Sequence, residues 1–150
     1  MITVEEMIST HKFFQGMNPE HLHFIAGCAS NVSVNSGDYI FHEGEPAEQF
    51  FMIRHGMVAI ETHDLRKGPI RIQTIMEDNV LGWSWLFPPY KWQNDAHAMT
   101  LVRMTAFDGK CLREKCDADH NLGYELMKRF AGVLLEHLRA TRLQAMNLYD

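Results

Sequence analysis

The stretch Gly37-Asp38-Tyr39-Ile40-Phe41-His42-Glu43-Gly44-Glu45-Pro46-Ala47, followed by Phe50-Phe51-Met52-Ile53 and Gly56-Met57-Val58, decides the fold. Its apolar residues come in short bursts, and each burst ends at a glycine or a glycine-proline turn. The turn glycines Gly37, Gly44 and Gly56 mark places where the backbone takes positive φ, leaving room only for short strands between them. The pairs Val32 and Val34, Tyr39 and Phe41, Phe51 and Ile53, Val58 and Ile60, and Ile70 and Ile72 each put two apolar side chains on one strand face. Turn signals at Ser36-Gly37, Glu43-Gly44-Glu45-Pro46, His55-Gly56 and Lys67-Gly68-Pro69 separate these runs, and a further strand pair is expected within Asp95 to Phe107. Many short strands punctuated this way predict a mainly β jelly-roll barrel, a double-stranded β-helix with flanking helices, rather than a parallel sheet.

Helical spacing brackets the roll. Asn18-Pro19-Glu20 is a helix start, with a capping side chain, a proline suited to the first turn and an acid at the positive end of the dipole. Leu22, Ile25, Ala26 and Ala29 then recur at helical spacing. Near the other end Asp108 is placed to cap a short helix carrying Cys111 and Leu112, and a long helix is expected from about Asn121 to about Leu148. It would be on the order of 40 Å long. Its apolar stripe, Leu122, Leu126, Phe130, Val133, Leu134, Leu138, Leu143 and Met146, is longer than one small barrel covers. A second copy is therefore expected against it, with Phe130, Val133, Leu134, His137 and Leu138 forming a dimer seam. The whole chain, 1–150, reads as one domain: N-terminal helices 1–30, β-roll 31–107 and C-terminal helices 108–150.

Bulk properties narrow the function classes. With 150 residues, 46% hydrophobic and 22% charged, the chain can bury a core without staples. No apolar run approaches a membrane span, and Met1-Ile2-Thr3-Val4-Glu5-Glu6 lacks the basic start of a secretory signal, so a cytoplasmic place is expected. A net charge of −5, from 19 acidic and 14 basic side chains, argues against direct nucleic-acid binding, and the cluster Lys128, Arg129, Arg139 and Arg142 reads as a solvated helix face. Cys28, Cys111 and Cys116 form no CxxC pair and read as reduced, mostly buried thiols.

The glycine-turn signature, the roll and the long helix together resemble the cyclic-nucleotide-binding domain of the catabolite activator (Crp/Fnr) family of bacterial regulators, over roughly Met7 to Leu148. The resemblance implies a dimeric sensory domain. It also implies a ligand cassette running from a glycine-glutamate pair, through a short helix, to an arginine followed by serine or threonine. In that family the glutamate holds the ribose and the arginine pairs with the cyclic phosphate. Here the matching segment is Val80-Leu81-Gly82-Trp83-Ser84-Trp85-Leu86-Phe87-Pro88-Pro89-Tyr90-Lys91-Trp92-Gln93-Asn94. Gly82 is in place, Trp83 stands at the glutamate position, and Trp92-Gln93 stand near the arginine-serine position. Lys91 is the cation nearby, a point charge rather than a bidentate fork. Leu81, Ser84, Trp85 and Asn94 complete the expected contacts within the cassette. Ile72 and Gln73 are expected contacts from the roll. On the long helix, Leu138-Arg139-Ala140-Thr141 resembles the base-contacting part of the family's dimer helix, which would give Thr141 and Arg142 ligand roles.

In that family a DNA-binding domain follows the long helix, whereas this chain ends at Asp150. The expectation is a stand-alone sensor acting through a protein partner, without a certain cofactor, whose effector is a cyclic nucleotide or another small molecule. The aromatic group Trp83, Trp85, Phe87, Tyr90 and Trp92 supports a pocket remodelled for a flatter, less charged effector. An alternative has these rings filling the old nucleotide space, leaving an interaction module. A further alternative is a cupin-like metalloenzyme, which needs two His and a Glu converging on one metal. The one His-x-His, His21-Leu22-His23, lies on the early helix without a suitably spaced Glu, so no metal site is expected.

Overall fold

The expected helices and strands form, except that Ala29, read with the early helix, opens the first strand instead because the helix ends at Ala26. The computed structural model describes residues 2–148; Met1, Tyr149 and Asp150, which the expected domain range includes, lie outside the described residues. Helices α1 (Val4–Thr10) and α2 (Pro19–Ala26), joined through a 3-10 turn at Lys12–Phe14, lead into eight strands. These are β1 (Ala29–Val34), β2 (Tyr39–Phe41), β3 (Gln49–His55), β4 (Val58–Asp64), β5 (Gly68–Ile75), β6 (Val80–Leu81), β7 (Asp95–Ala98) and β8 (Val102–Asp108). Helices α3 (Gly109–Ala118) and α4 (His120–Leu148) follow. The strands make two four-stranded sheets, β1-β8-β3-β6 and β2-β7-β4-β5, with every pairing antiparallel. This is a mainly β, jelly-roll-like fold with flanking helices and a long C-terminal helix.

The predicted caps form. Asn18 Oδ1 accepts from the amide of Glu20 at 2.9 Å, and Asp108 Oδ1 accepts from the amide of Cys111 at 3.0 Å. Gly56 turns β3 into β4 with φ of +100°, and a β-carbon there would sit 2.4 Å from the carbonyl oxygen of Leu101, so both conformation and space call for glycine.

Strand β3 departs from simple alternation: Phe50, Phe51, Met52 and Ile53 are all buried. The reason is a second core. Phe51 and Ile53 face the roll interior with Val58, Ile60, Met104 and Ala106, while Phe50 and Met52 face a helical core with Ile8, Phe14, Phe107, Leu112 and Leu126. Burying one such large side chain contributes about 1.5–3 kcal/mol. A sheet covered on both faces reads as a continuous apolar run rather than an alternating one.

The stripe on α4 divides between two surroundings. Leu122, Leu126 and Phe130 are fully buried in this chain's own helical core. Phe130, expected on a dimer seam, instead packs edge-on against Phe50 and Trp85 at 5.0 and 5.4 Å between ring centroids. Leu135, Leu138, Leu143 and Met146 stay more than half exposed; Leu135 and Leu138 flank His137, which meets β5, so they lie on the helix face turned away from the roll. The reading of three reduced thiols is also corrected. Cys28, at the start of the roll, is disulfide-bonded to Cys111 on α3, with 5.9 Å between their α-carbons, and Cys116 is the free thiol.

Candidate functional site

The site begins at Gly82, where φ is +96° and the backbone leaves β6 into the aromatic segment. A β-carbon on residue 82 would lie 2.9 Å from two ring atoms of Trp92, so glycine lets the indole rest on the backbone. Trp92 then stacks on Phe41 of β2, the centroids 3.7 Å apart and the planes within 6°. The returning chain is zipped to the glycine turn: Gly44 N–H donates to Trp92 O, Trp92 N–H to Glu45 O, and Ala47 N–H to Tyr90 O, at 2.7–3.0 Å. Arg113 of α3 holds the middle of the loop, donating to the Trp85 carbonyl and lying 4.4 Å over the Tyr90 ring. That stacked cation adds to the packing that fixes the loop.

Between this segment, the concave face of the roll and α4 lies a cavity of about 300 Å³, at the lower end of the size that holds a small organic ligand. Phe41, Ile60, Ile75, Val80 and Leu81 make its apolar lining, with Trp83, Ser84, Trp92, Gln93 and Asn94 from the aromatic segment. Gln73 enters from β5, and Val133 and His137 from α4.

His137 ties the two sides together. Its Nδ1 lies 3.2 Å from Oε1 of Gln73; the tautomer that donates from Nδ1 to this oxygen leaves Nε2 as an acceptor. Burial holds this imidazole below its ordinary pKa and so neutral at pH 7. Its ring sits 5.8 Å from that of Trp83.

Of the residues expected at the ligand, Gln73, Leu81, Gly82, Trp83, Ser84, Trp92, Gln93 and Asn94 border the cavity. The others do not. Ile72 is not among the residues that border the cavity; it is the extra residue of β5 at the register shift opposite Ile60 and Glu61. Trp85 is fully buried in the helical core, stacked on Phe50. Lys91 is exposed on the far side of the loop, bridged to Pro46. Thr141 and Arg142 are exposed beyond the end of the roll, and the Thr141 hydroxyl donates to the carbonyl of His137 at 2.8 Å. The α4 residues that border the cavity lie earlier, among them Val133 and His137, both expected on the dimer seam. The sequence did carry two usable signals for missed residues: Ile75 shares the strand face of Gln73, and Val133 and His137 are spaced by one helical turn.

No described side chain supplies the cassette arginine. Arg129 borders the cavity, but its guanidinium donates to the carbonyls of Phe13 and Gln15 at 2.6 and 3.0 Å and pairs with Glu125 at 3.6 Å. Among the described residues no group of three or more His, Cys, Asp or Glu is placed to hold a metal ion, and no helix is long and apolar enough to cross a membrane.

Comparison with known proteins agrees with this geometry. Residues 31–119 match the cyclic nucleotide-binding domain family. A structure from Geobacter metallireducens, described as that of a cyclic nucleotide-binding protein, is similar at 27% identity and a TM-score of 0.81, covering 92% of this chain and 99% of that one. A cyclic nucleotide-binding domain from Methylobacillus flagellatus shares the fold at 14% identity and a TM-score of 0.79, over 97% of this chain and 82% of that one. So does the sensor domain of the transcriptional regulator DNR from Pseudomonas aeruginosa, at 18% identity and 0.71, over 90% and 91%. None of the curated proteins compared matches the chain.

Proposed function

Because the chain belongs to the cyclic nucleotide-binding domain family, we propose that it is a regulatory domain that senses a small molecule other than an ordinary cyclic nucleotide. The observation that carries this reading is the cavity itself. It is open, and Trp83 and Trp92 stand where the family resemblance implies a ribose-binding glutamate and a phosphate-binding arginine. Trp92 lies flat on Phe41 as a wall and Trp85 is taken up by the helical core, which favours an effector site over an aromatic-filled interaction module. Losing charge-assisted bonds of this kind costs about 1.5–3 kcal/mol each, so a cyclic phosphate is bound poorly here.

The exposed apolar side chains Leu135, Leu138, Leu143 and Met146 support a homodimer through the outer half of α4. An effector touching both roll and helix would then favour one arrangement of that helix, and a protein partner would read it. We place this regulation in the cytoplasm and assign the domain no enzymatic role.

Tryptophan fluorescence tests the reading directly, since all three tryptophans lie in the segment between Val80 and Asn94. Cyclic AMP and cyclic GMP are expected to leave the emission unchanged at micromolar concentration. A saturable micromolar response, lost in Trp83→Ala or Trp92→Ala and confirmed by calorimetry, would show an ordinary cyclic nucleotide receptor instead.

A further inference from the structure

Resting on the reading of the cavity as an effector site, we propose that the effector is an uncharged, flat nitrogen heterocycle, free of phosphate. Its donor–acceptor edge is read jointly by Gln73 of β5 and His137 of α4.

The charges around the cavity come first. Its ionisable neighbours are Lys12, Asp78, Arg129, Glu136 and His137. Lys12, Asp78 and Glu136 are exposed at the rim, Glu136 pairs with Arg139 at 3.0 Å, and Arg129 is taken up by two carbonyls and Glu125. With Arg129 counted, the charged neighbours of the cavity balance, two positive against two negative. His137 is the ionisable group within, and burial keeps it neutral. An anion at the tryptophan end would lose its water without gaining a cation, which is strongly unfavourable.

The polar groups present are uncharged and complementary in kind. With Nδ1–H given to Gln73, His137 offers Nε2 as an acceptor, and the Gln73 amide still offers its N–H groups. Ser84 is only 4% exposed and borders the cavity, where its hydroxyl adds a third uncharged polar group. Flat walls complete the site: the Trp83 ring beside His137, and the Trp92–Phe41 stack. Indole faces favour a planar ring, and a carboxamide beside an imidazole acceptor discriminates its edge.

These two reading residues also form the side-chain hydrogen bond, among the described residues, that joins α4 to a strand of the roll. A ligand that replaces this bond with its own therefore couples its presence to the position of α4.

The test is isothermal calorimetry at pH 7.5 with three probes: adenosine, cyclic AMP carrying the same ring with an anionic phosphodiester, and indole, flat but without a donor–acceptor edge. Adenosine is expected to saturate one site per chain, with cyclic AMP at least about tenfold weaker. Gln73→Leu and His137→Leu should each weaken adenosine by about tenfold or more, while Lys91→Ala leaves it unchanged; unaltered thermal melting of each variant guards against misfolding. Cyclic AMP binding as tightly as adenosine, or adenosine binding indifferent to both leucine variants, overturns the proposal. Indole binding alone, blocked by Gly132→Phe beside the cavity, overturns the donor–acceptor reading by Gln73 and His137 but leaves an effector site. Binding of none of the probes removes both.

Discussion

The indole of Trp92 occupies the space a β-carbon at residue 82 would take, its Cη2 and Cζ3 both 2.9 Å from that position. Gly82 therefore meets two demands at once, a φ of +96° and an open face for the ring that walls the cavity. Gly82→Ala should destabilise the fold by about 1–3 kcal/mol through backbone strain and displace Trp92. Chemical denaturation and a shift in tryptophan emission check the two effects separately; an unchanged emission maximum would mean the ring never leaned on residue 82.

The outer half of α4 should behave unlike its inner half. Phe130→Ala empties a fully buried site in this chain's own core and should cost about 3–5 kcal/mol. Leu138→Glu combined with Leu143→Glu alters two exposed positions and should leave the melting of the roll intact while converting the proposed dimer to a monomer. Analytical ultracentrifugation decides, and a wild-type protein that sediments as a monomer at all concentrations rules the dimer out.

Acid should weaken the protein through two imidazoles. Burial lowers the pKa of both His11 and His137 below the ordinary value of 6.5, although the carbonyl of Ile53 and the charge of Asp78 partly oppose this at His11. Around His137 the facing groups are Gln73, Glu136 and the rings of Trp83. In this window the unfolded chain binds more protons than the folded one, so stability is full above about pH 6.5 and declines as pH falls below it. Thermal midpoints at pH 7.5 and 5.5 measure the loss, and His137→Gln should reduce it.

The thiols should report their different states. The Cys28–Cys111 bond closes a loop of 83 residues, and reducing it should lower stability by about 2–5 kcal/mol. Cys116 is half-buried and its pKa is raised to about 11, chiefly by burial and then by Asp117 and Asp119, so it should alkylate slowly at pH 8 in the native state. Mass spectrometry after alkylation should find one label on the unfolded, unreduced chain and three once reductant is added. Three labels without reductant would place all the cysteines in the thiol form.

Much of the architecture was legible from local chemistry. The glycine turns at residues 37, 44 and 56, the Asn18 and Asp108 caps and the helical stripe from Leu122 are each set by a few neighbouring residues. The chain's own bonding geometry then leaves little choice. The two-residue strand β6 was not legible, because Val80–Leu81 is too short to show a period and is a strand only through its pairing with Phe51 and Met52.

The site divided along the same line. That the segment from Val80 to Asn94 holds all three tryptophans and neither glutamate nor arginine is a property of the sequence. Which tryptophan faces the cavity is not. Trp83 and Trp92 border it, whereas Trp85, two residues from Trp83, joins Phe50 and Phe130 in a core on the other side of the loop. The placing of His137 rather than Thr141 at the cavity depends on how α4 lies over β5, and the joining of Cys28 to Cys111 on how α3 comes to rest beside the residue that precedes β1. Periodicity and turn chemistry act over a few residues along the chain, so the sequence by itself determined the longer strands and helices, the glycine turns and the absence of glutamate and arginine between Val80 and Asn94. Contacts between residues 64 or 83 positions apart arise only when two layers pack, so the tertiary structure alone decided the cavity, the residues that line it and the disulfide.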